Sequence, residues 1–302
     1  MKISADFIFK KTCRLCAFAV LIFISAFFVQ LALSSSEAWK EFGLDFIVSG
    51  KWNPVTEEFG ALNAILGTLI TTLIALSVAL PLAFALALFI ADAPEIIAKP
   101  LAHAIDLLAS IPSVIYGMWG LFVICPVMQN IVQPFLIETL HLGKIPFFGT
   151  QGNGFGFLTA GLILAVMVLP YICAVMRDVF KMTPPMLRES AFGIGCTRFE
   201  AAKDIIVKYG KRGILGGIFI GLGRALGETM AVLFVIGNFM GAPSSLMGSG
   251  TTIASTIANN FAEADGLHKS ALFALGLILL AMSLFIQAVS QYYLHKTDAN
   301  SN

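Results

Sequence analysis

The chain has 302 residues, 58% of them hydrophobic and 12% charged, with a mean hydropathy of +0.87. Soluble domains carry roughly 25% charged residues to cover their water-facing surface, so this composition excludes a water-soluble globule and makes lipid the solvent to test. A net charge of +1 excludes an overall field that would draw nucleic acid or an acidic partner.

The first apolar run, 15–33, stands behind Lys2, Lys10, Lys11 and Arg14. It matches the ~20 residues a spanning helix needs, and no A-x-A-like site closes it, so it reads as a retained helix rather than a cleaved signal. Cys13 and Cys16 beside it form a C-x-x-C; with no second pair or nearby histidine, they read as reduced thiols. The second run, 61–91, is uncharged and holds Pro81, which neighbouring helices tolerate in a membrane. A third covers 101–128, with Asp106 near its start, where a carboxylate reaches the interface or caps a neighbour, and with Pro112 and Pro126 within it. The fourth, fifth and sixth cover 156–176, 214–240 and 271–293.

Lysines and arginines in the connections orient these spans. With the N-terminus inside, 14 fall on the cytoplasmic side, eight of them in 177–213, against four outside: Lys40, Lys51, Lys144 and Lys269. The expectation is an all-α polytopic membrane protein with six transmembrane helices and both termini cytoplasmic. Outside, 34–60 is acidic (Glu37, Glu41, Asp45, Glu57, Glu58), with Trp39 and Trp52 suited to the headgroup level, and 129–155 is rich in Gly and Pro. His103, His141, His268 and His295 are scattered without metal-ligand spacing.

The basic stretch 177–213 carries start and stop signals that a plain positive-inside loop does not need. Thr183 before Pro184 predicts an N-cap with proline at N1, and a helix through 186–192 that stops at Gly193 with Gly195 close behind. Thr197-Arg198-Phe199-Glu200 fits a capping box, opening a second helix with Phe199, Ala202, Ile205, Ile206 and Tyr209 that ends at Gly210. Glu189-Ser190-Ala191, followed by Gly195, resembles the E-A-A-x-x-x-G loop of ABC-importer permeases, with Ser190 for the second alanine and Val207-Lys208 where the family commonly has Leu-Pro. The resemblance implies a coupling loop that seats in a separate ATPase subunit, with Glu189, Ser190, Ala191, Gly195, Thr197 and Glu200 at or near the contact. The chain has no G-x-x-x-x-G-K-[ST] phosphate loop of its own.

Arg224 and Glu228 lie inside the fifth apolar run, where a charge costs roughly 2.5–3.5 kcal/mol on insertion scales and therefore faces protein or a wet cavity. Their i,i+4 spacing on a helix puts them on one face, close enough to pair. Two readings fit: a buried structural ion pair, or residues lining the path, with Arg224 offering positive charge to an anion. Gly221, Gly223 and Gly227 allow close approach of a helix or substrate. Between spans, 248–260 is rich in Ser, Thr, Ala and Asn and reads either as an outer loop or as a re-entrant helix closing the path.

The stretch GLGRALGETMAV (221–232) is similar to the signature of phosphate-transport permeases, as are 60–62, 111–122 (IPSVIYGMWGLF), 170–180 (PYICAVMRDVF), 193–197 (GIGCT) and 260–268 (NFAEADGLH). That resemblance implies the type I ABC-importer permease fold: an N-terminal tail, first helix and periplasmic segment at 1–60, a permease core at 61–294 and a tail at 295–302. It implies inorganic phosphate as substrate, a bacterial inner-membrane location, and transport association of Arg224 and Glu228. The implied partners are a second permease subunit of the PstA type, two ATPase subunits of the PstB type that bind ATP and Mg, and a periplasmic phosphate-binding protein of the PstS type. This chain itself would be neither enzyme nor cofactor carrier. The alternatives are an ABC permease for another small solute and an ion-coupled carrier using Glu228; the lack of inverted-repeat halves and the presence of a helical docking loop count against the carrier. A membrane enzyme is the third, and no nucleophile, metal site or acid-base pair assembles for it.

Overall fold

The structure is a computed structural model and describes residues 5–299 except 142, 144, 146–147, 150–151 and 244. Lys2 and Lys144 of the charge count lie outside the described residues, as do the side chains of His295 and Lys296. α1 (Ala5–Ser34) takes in Cys13 and Cys16 and leads to a small unit of α2 (Ser36–Phe42), α3 (Asp45–Val48) and the antiparallel hairpin β1 (Trp52–Asn53) and β2 (Glu58–Phe59). Next come α4 (Leu62–Asp92), α5 (Glu95–Ser110) and α6 (Ser113–Trp119), the last continuing through π turns and α7 (Cys125–Val127) to Thr139. α8 (Phe157–Lys181), α9 (Pro185–Gly193), α10 (Arg198–Ala201), α11 (Val207–Leu226), α12 (Met230–Leu233), α13 (Ile253–Asn260) and α14 (Gly266–Ala299) complete the chain.

α4 and α8 form the centre. α4 presents Gly67, Thr71, Ala75, Ala79, Ala83 and Ala87 at four-residue spacing, all buried. Small residues on one face let two backbones approach where lipid tails supply no hydrophobic drive to association. α8 answers with Gly161, where a Cβ would meet Ile74 Cγ2 at 2.5 Å. α1 has no buried residue in its apolar stretch. The small unit after it is held by Trp52 and His268 around Phe59, with ring centroids 5.1 and 5.0 Å away, so His268 packs as an aromatic.

Five described helical stretches are long and apolar enough to cross a bilayer: Phe9–Ser34, Leu62–Asp92, Ser113–Thr139, Phe157–Lys181 and Gly266–Leu294. The chain is therefore a multi-pass membrane protein. Two expected spans are redrawn. The third run does not form one helix: Ile111 is extended, and Pro112 has no N–H to continue the α5 ladder. The crossing here starts at Ser113, and 129–139, expected as connection, is helical. The fifth run, 214–240, does not form one helix either. α11 has 20 residues but carries Lys208, Lys211, Arg212 and Arg224, and it ends at Leu226, before Gly227.

Beyond Gly227 the chain forms a partly buried return segment of mostly irregular backbone. Backbone polar groups survive at membrane depth only with partners inside the protein. Here the first N–H groups of α8, which no helix satisfies, meet the segment's carbonyls: Gly156 donates to Val235 at 3.0 Å, Phe157 to Gly248 at 3.3 Å and Leu158 to Leu246 at 2.9 Å. The chain then passes so close to α4 that a Cβ on Gly67 would overlap the Thr251 carbonyl oxygen. Ile253 N–H donates to Thr68 Oγ1 at 3.0 Å, and a capping box of Thr252 and Ser255 opens α13. The stretch 248–260 is thus a buried strand-like lead and a short helix, not an open loop.

Candidate translocation site and coupling loop

The loop between α8 and α11 folds as two capped helices. α9 ends at Gly193 as the sequence predicts, and Gly195 shows why the motif needs glycine: its φ is +90°. Gly195 N–H donates to Phe192 O and Cys196 N–H to Ala191 O, both at 3.0 Å, which is the paired closure of a Schellman motif. Ala191 is buried, while Glu189, Ser190, Thr197 and Glu200 are exposed. The predicted capping box is present. Thr197 N–H and its hydroxyl both donate to Glu200 Oε2 at 2.8 Å, and Glu200 N–H returns to Thr197 Oγ1 at 3.3 Å. The backbone bond first, then the hydroxyl, hold the Glu200 carboxyl below the usual glutamate range.

Two expected signals act differently. Thr183 is not the N-cap; Pro184 takes that place with ψ 132°, and the Thr183 hydroxyl is buried without a hydrogen bond. A residue before proline is pushed out of the helical region, so Pro185 forces Pro184 to be the cap. Gly210 does not stop the second helix, which passes from α10 through a π turn (Ala202–Ile206) into α11. Gly210 is a packing glycine: a Cβ there would meet Val179 Cγ1 at 2.9 Å, and one on Gly221 would meet Ile172 Cδ1 at 2.5 Å. These contacts run antiparallel along α8, so α11 returns from the loop into the membrane beside it.

Arg224 and Glu228 do not pair. With α11 ended at Leu226, the i,i+4 geometry is lost between them. Glu228 turns to the next helix, accepting Ala231 N–H at 3.2 Å. The Arg224 guanidinium lies 4.0 Å above the Tyr171 ring, and its buried Nε has no hydrogen-bond partner. Asp106 instead pairs with Arg177, at 3.4 Å, linking α5 to α8. Sequence reasoning misses Tyr171, although a signal is there: a tyrosine inside an apolar run, six residues before its first charge at Arg177.

The family of binding-protein-dependent transport system inner membrane components matches residues 61–298. The phosphate transport system permease protein PstC of Haemophilus influenzae is 47% identical over 96% of this chain and 93% of its own length. That of Mesorhizobium japonicum is 46% identical over 98% and 92%. The probable phosphate transport system permease protein PstC of Methanocaldococcus jannaschii is 35% identical over 92% and 89%. Among solved structures, the MetNI methionine ABC transporter in an inward-facing conformation superposes with a TM-score of 0.55 at 15% identity, over 78% of this chain and 94% of that one, a likeness of fold. The chain belongs to the family of binding-protein-dependent transport system inner membrane components, among its phosphate transport system permease proteins PstC.

Proposed function

We infer that this chain is the membrane permease subunit of an ABC-type importer of inorganic phosphate, with Arg224 in the translocation path. The near-full-length likeness to PstC permeases supports the substrate. One geometric observation carries the site: Arg224 is partly buried and no carboxylate among the described residues pairs with it, since Glu228 is engaged elsewhere and Tyr171 offers only its face. A cation held this way keeps its charge for a passing anion. Glu228 shapes the path by starting α12 just beyond it.

α11 and the return segment together make the sixth crossing, which puts both termini on the same side as the basic loop; the positive-inside bias makes that side cytoplasmic and the membrane a bacterial inner membrane. Glu189, Ser190, Ala191, Gly195, Thr197 and Glu200 form the surface for one of two ATPase subunits, which bind ATP and Mg. A second permease subunit completes the path, and a periplasmic phosphate-binding protein delivers the substrate.

The test is reconstitution of the complex in liposomes. Phosphate uptake is expected only with both ATP and the binding protein, and Arg224→Gln should lower it at least a hundredfold with assembly intact. Uptake driven by a proton gradient without ATP would instead establish the ion-coupled reading. Glu189→Lys should release the ATPase subunit, seen as its loss from the purified complex.

A further inference from the structure

We propose that Tyr171 is a positioning residue for transport: it perches the Arg224 guanidinium in the path and ties it to α5, whose other end meets the coupling loop. The proposal rests on the reading that Arg224 contacts the transported anion.

Tyr171 is on α8, six residues and so about 9 Å before Arg177, inside the apolar part of that helix. Its two ends do separate jobs. The ring face takes the Arg224 cation at 4.0 Å. An aromatic quadrupole attracts a guanidinium without cancelling its charge, whereas a carboxylate would hold it and neutralise it. The hydroxyl donates to Ala109 O at 2.5 Å. That carbonyl belongs to the last turn of α5, where Pro112 has no N–H to offer the helix end. Tyr116 makes the matching bond to Leu108 O at 2.9 Å, so two tyrosines from two other helical stretches cap the same helix end.

α5 is a 16-residue helix, about 24 Å long, with attachments along its length. Asp106 joins it to Arg177 of α8. Just before its start, Asp92, the last residue of α4, lies 3.8 Å from Arg198 of the loop. A groove of about 370 Å³ there has Asp92, Ala93 and Ile97 on one wall and Arg188, Phe192 and Phe199 on the other. The loop therefore faces the α4–α5 corner at Asp92 and Ile97, and the Arg224 perch meets the far end of α5 through the Tyr171 hydroxyl, near the Asp106–Arg177 pair.

The experiment compares Tyr171→Phe, Tyr171→Trp and Tyr171→Leu in the full complex in proteoliposomes with binding protein and ATP, at equal amounts of assembled complex. Phosphate uptake and ATP hydrolysis are both read. Tyr171→Leu, without an aromatic face, should cut uptake at least tenfold while stimulated hydrolysis stays within about twofold, raising the ATP used per phosphate moved. Tyr171→Phe keeps the perch and loses the tie, and should cut uptake two- to fivefold with the same rise in that ratio. Tyr171→Trp should retain more uptake than Tyr171→Leu, because indole also holds a cation. Wild-type uptake and ratio in Tyr171→Phe and Tyr171→Leu overturn the proposal, as does parallel loss of uptake and hydrolysis in all three. If Arg224→Gln itself transports normally, the reading of Arg224 falls instead; if Arg224→Gln is inactive and Tyr171→Leu is normal, only the role of Tyr171 falls.

Discussion

The helices starting at Thr197 and Thr252 open on the same local device, a threonine capping box, in opposite surroundings. The box at 197–200 is exposed and uses a carboxylate as its third-position partner. The box at 252–255 is fully buried and uses a serine, whose hydroxyl bonds the Thr252 N–H at 2.8 Å. Burying an ionised carboxylate there would carry a desolvation cost that a hydroxyl avoids. Around the exposed box, Met186, Ile194 and Phe199 present largely exposed apolar side chains. Around the buried box, Thr68, Thr251, Ser255 and Thr256 bond one another or the backbone. The motif starts a helix in either place. Its surroundings decide whether the helix stands exposed or is sealed within the fold.

Gly67→Val should have the largest effect, because its side chain would strike the Thr251 backbone rather than a yielding side chain. Overpacking costs typically about 1–3 kcal/mol, and more against backbone; the expected result is little or no folded protein by size-exclusion chromatography in detergent. A wild-type yield would break the idea that the return segment is locked to α4. Thr252→Val should come next, losing a buried cap and leaving the Ser255 N–H without its acceptor, about 2–3 kcal/mol and a clearly lower melting temperature. Thr197→Val removes the exposed cap, about 1 kcal/mol; melting should barely move while the ATPase subunit is retained less well. Equal melting losses in Thr197→Val and Thr252→Val would erase the contrast between the two regions.

The smallest effect concerns pH. Glu200 has a depressed folded-state pKa, so its contribution is present above the ordinary glutamate range and is lost as pH falls through and below it. The buried box has no titratable partner. Amide hydrogen exchange, corrected for its intrinsic pH dependence, should show protection at 198–201 weakening between neutral pH and about pH 3 while 253–260 is unchanged. A parallel loss in both helices would mean that the carboxylate is not what distinguishes them.

Local signals are legible wherever the partner groups lie within a few residues. The Thr197 box and the Gly195 closure each involve atoms no more than five residues apart. The shift of the cap from Thr183 to Pro184 is also written locally, in the second proline. Gly210 and Gly227 are harder, because a glycine reads alike whether it ends a helix or admits a neighbour. Only the position of Val179 decides Gly210. Arg224 and Glu228 are visible as costly charges, but their expected pairing assumes a helix that in fact stops at Leu226.

The sequence by itself determined that this chain is solvated by lipid, where most apolar runs lie, and that the basic connection is a structured pair of capped helices, because composition, run length and capping are local or additive quantities. Tertiary structure alone decided that the fifth run is broken, that the segment after Gly227 folds back to satisfy the start of α8, and that Arg224 rests on Tyr171 instead of Glu228. Those outcomes depend on which distant groups meet a backbone donor or a cation in a medium without water. Spacing along the chain does not carry that information.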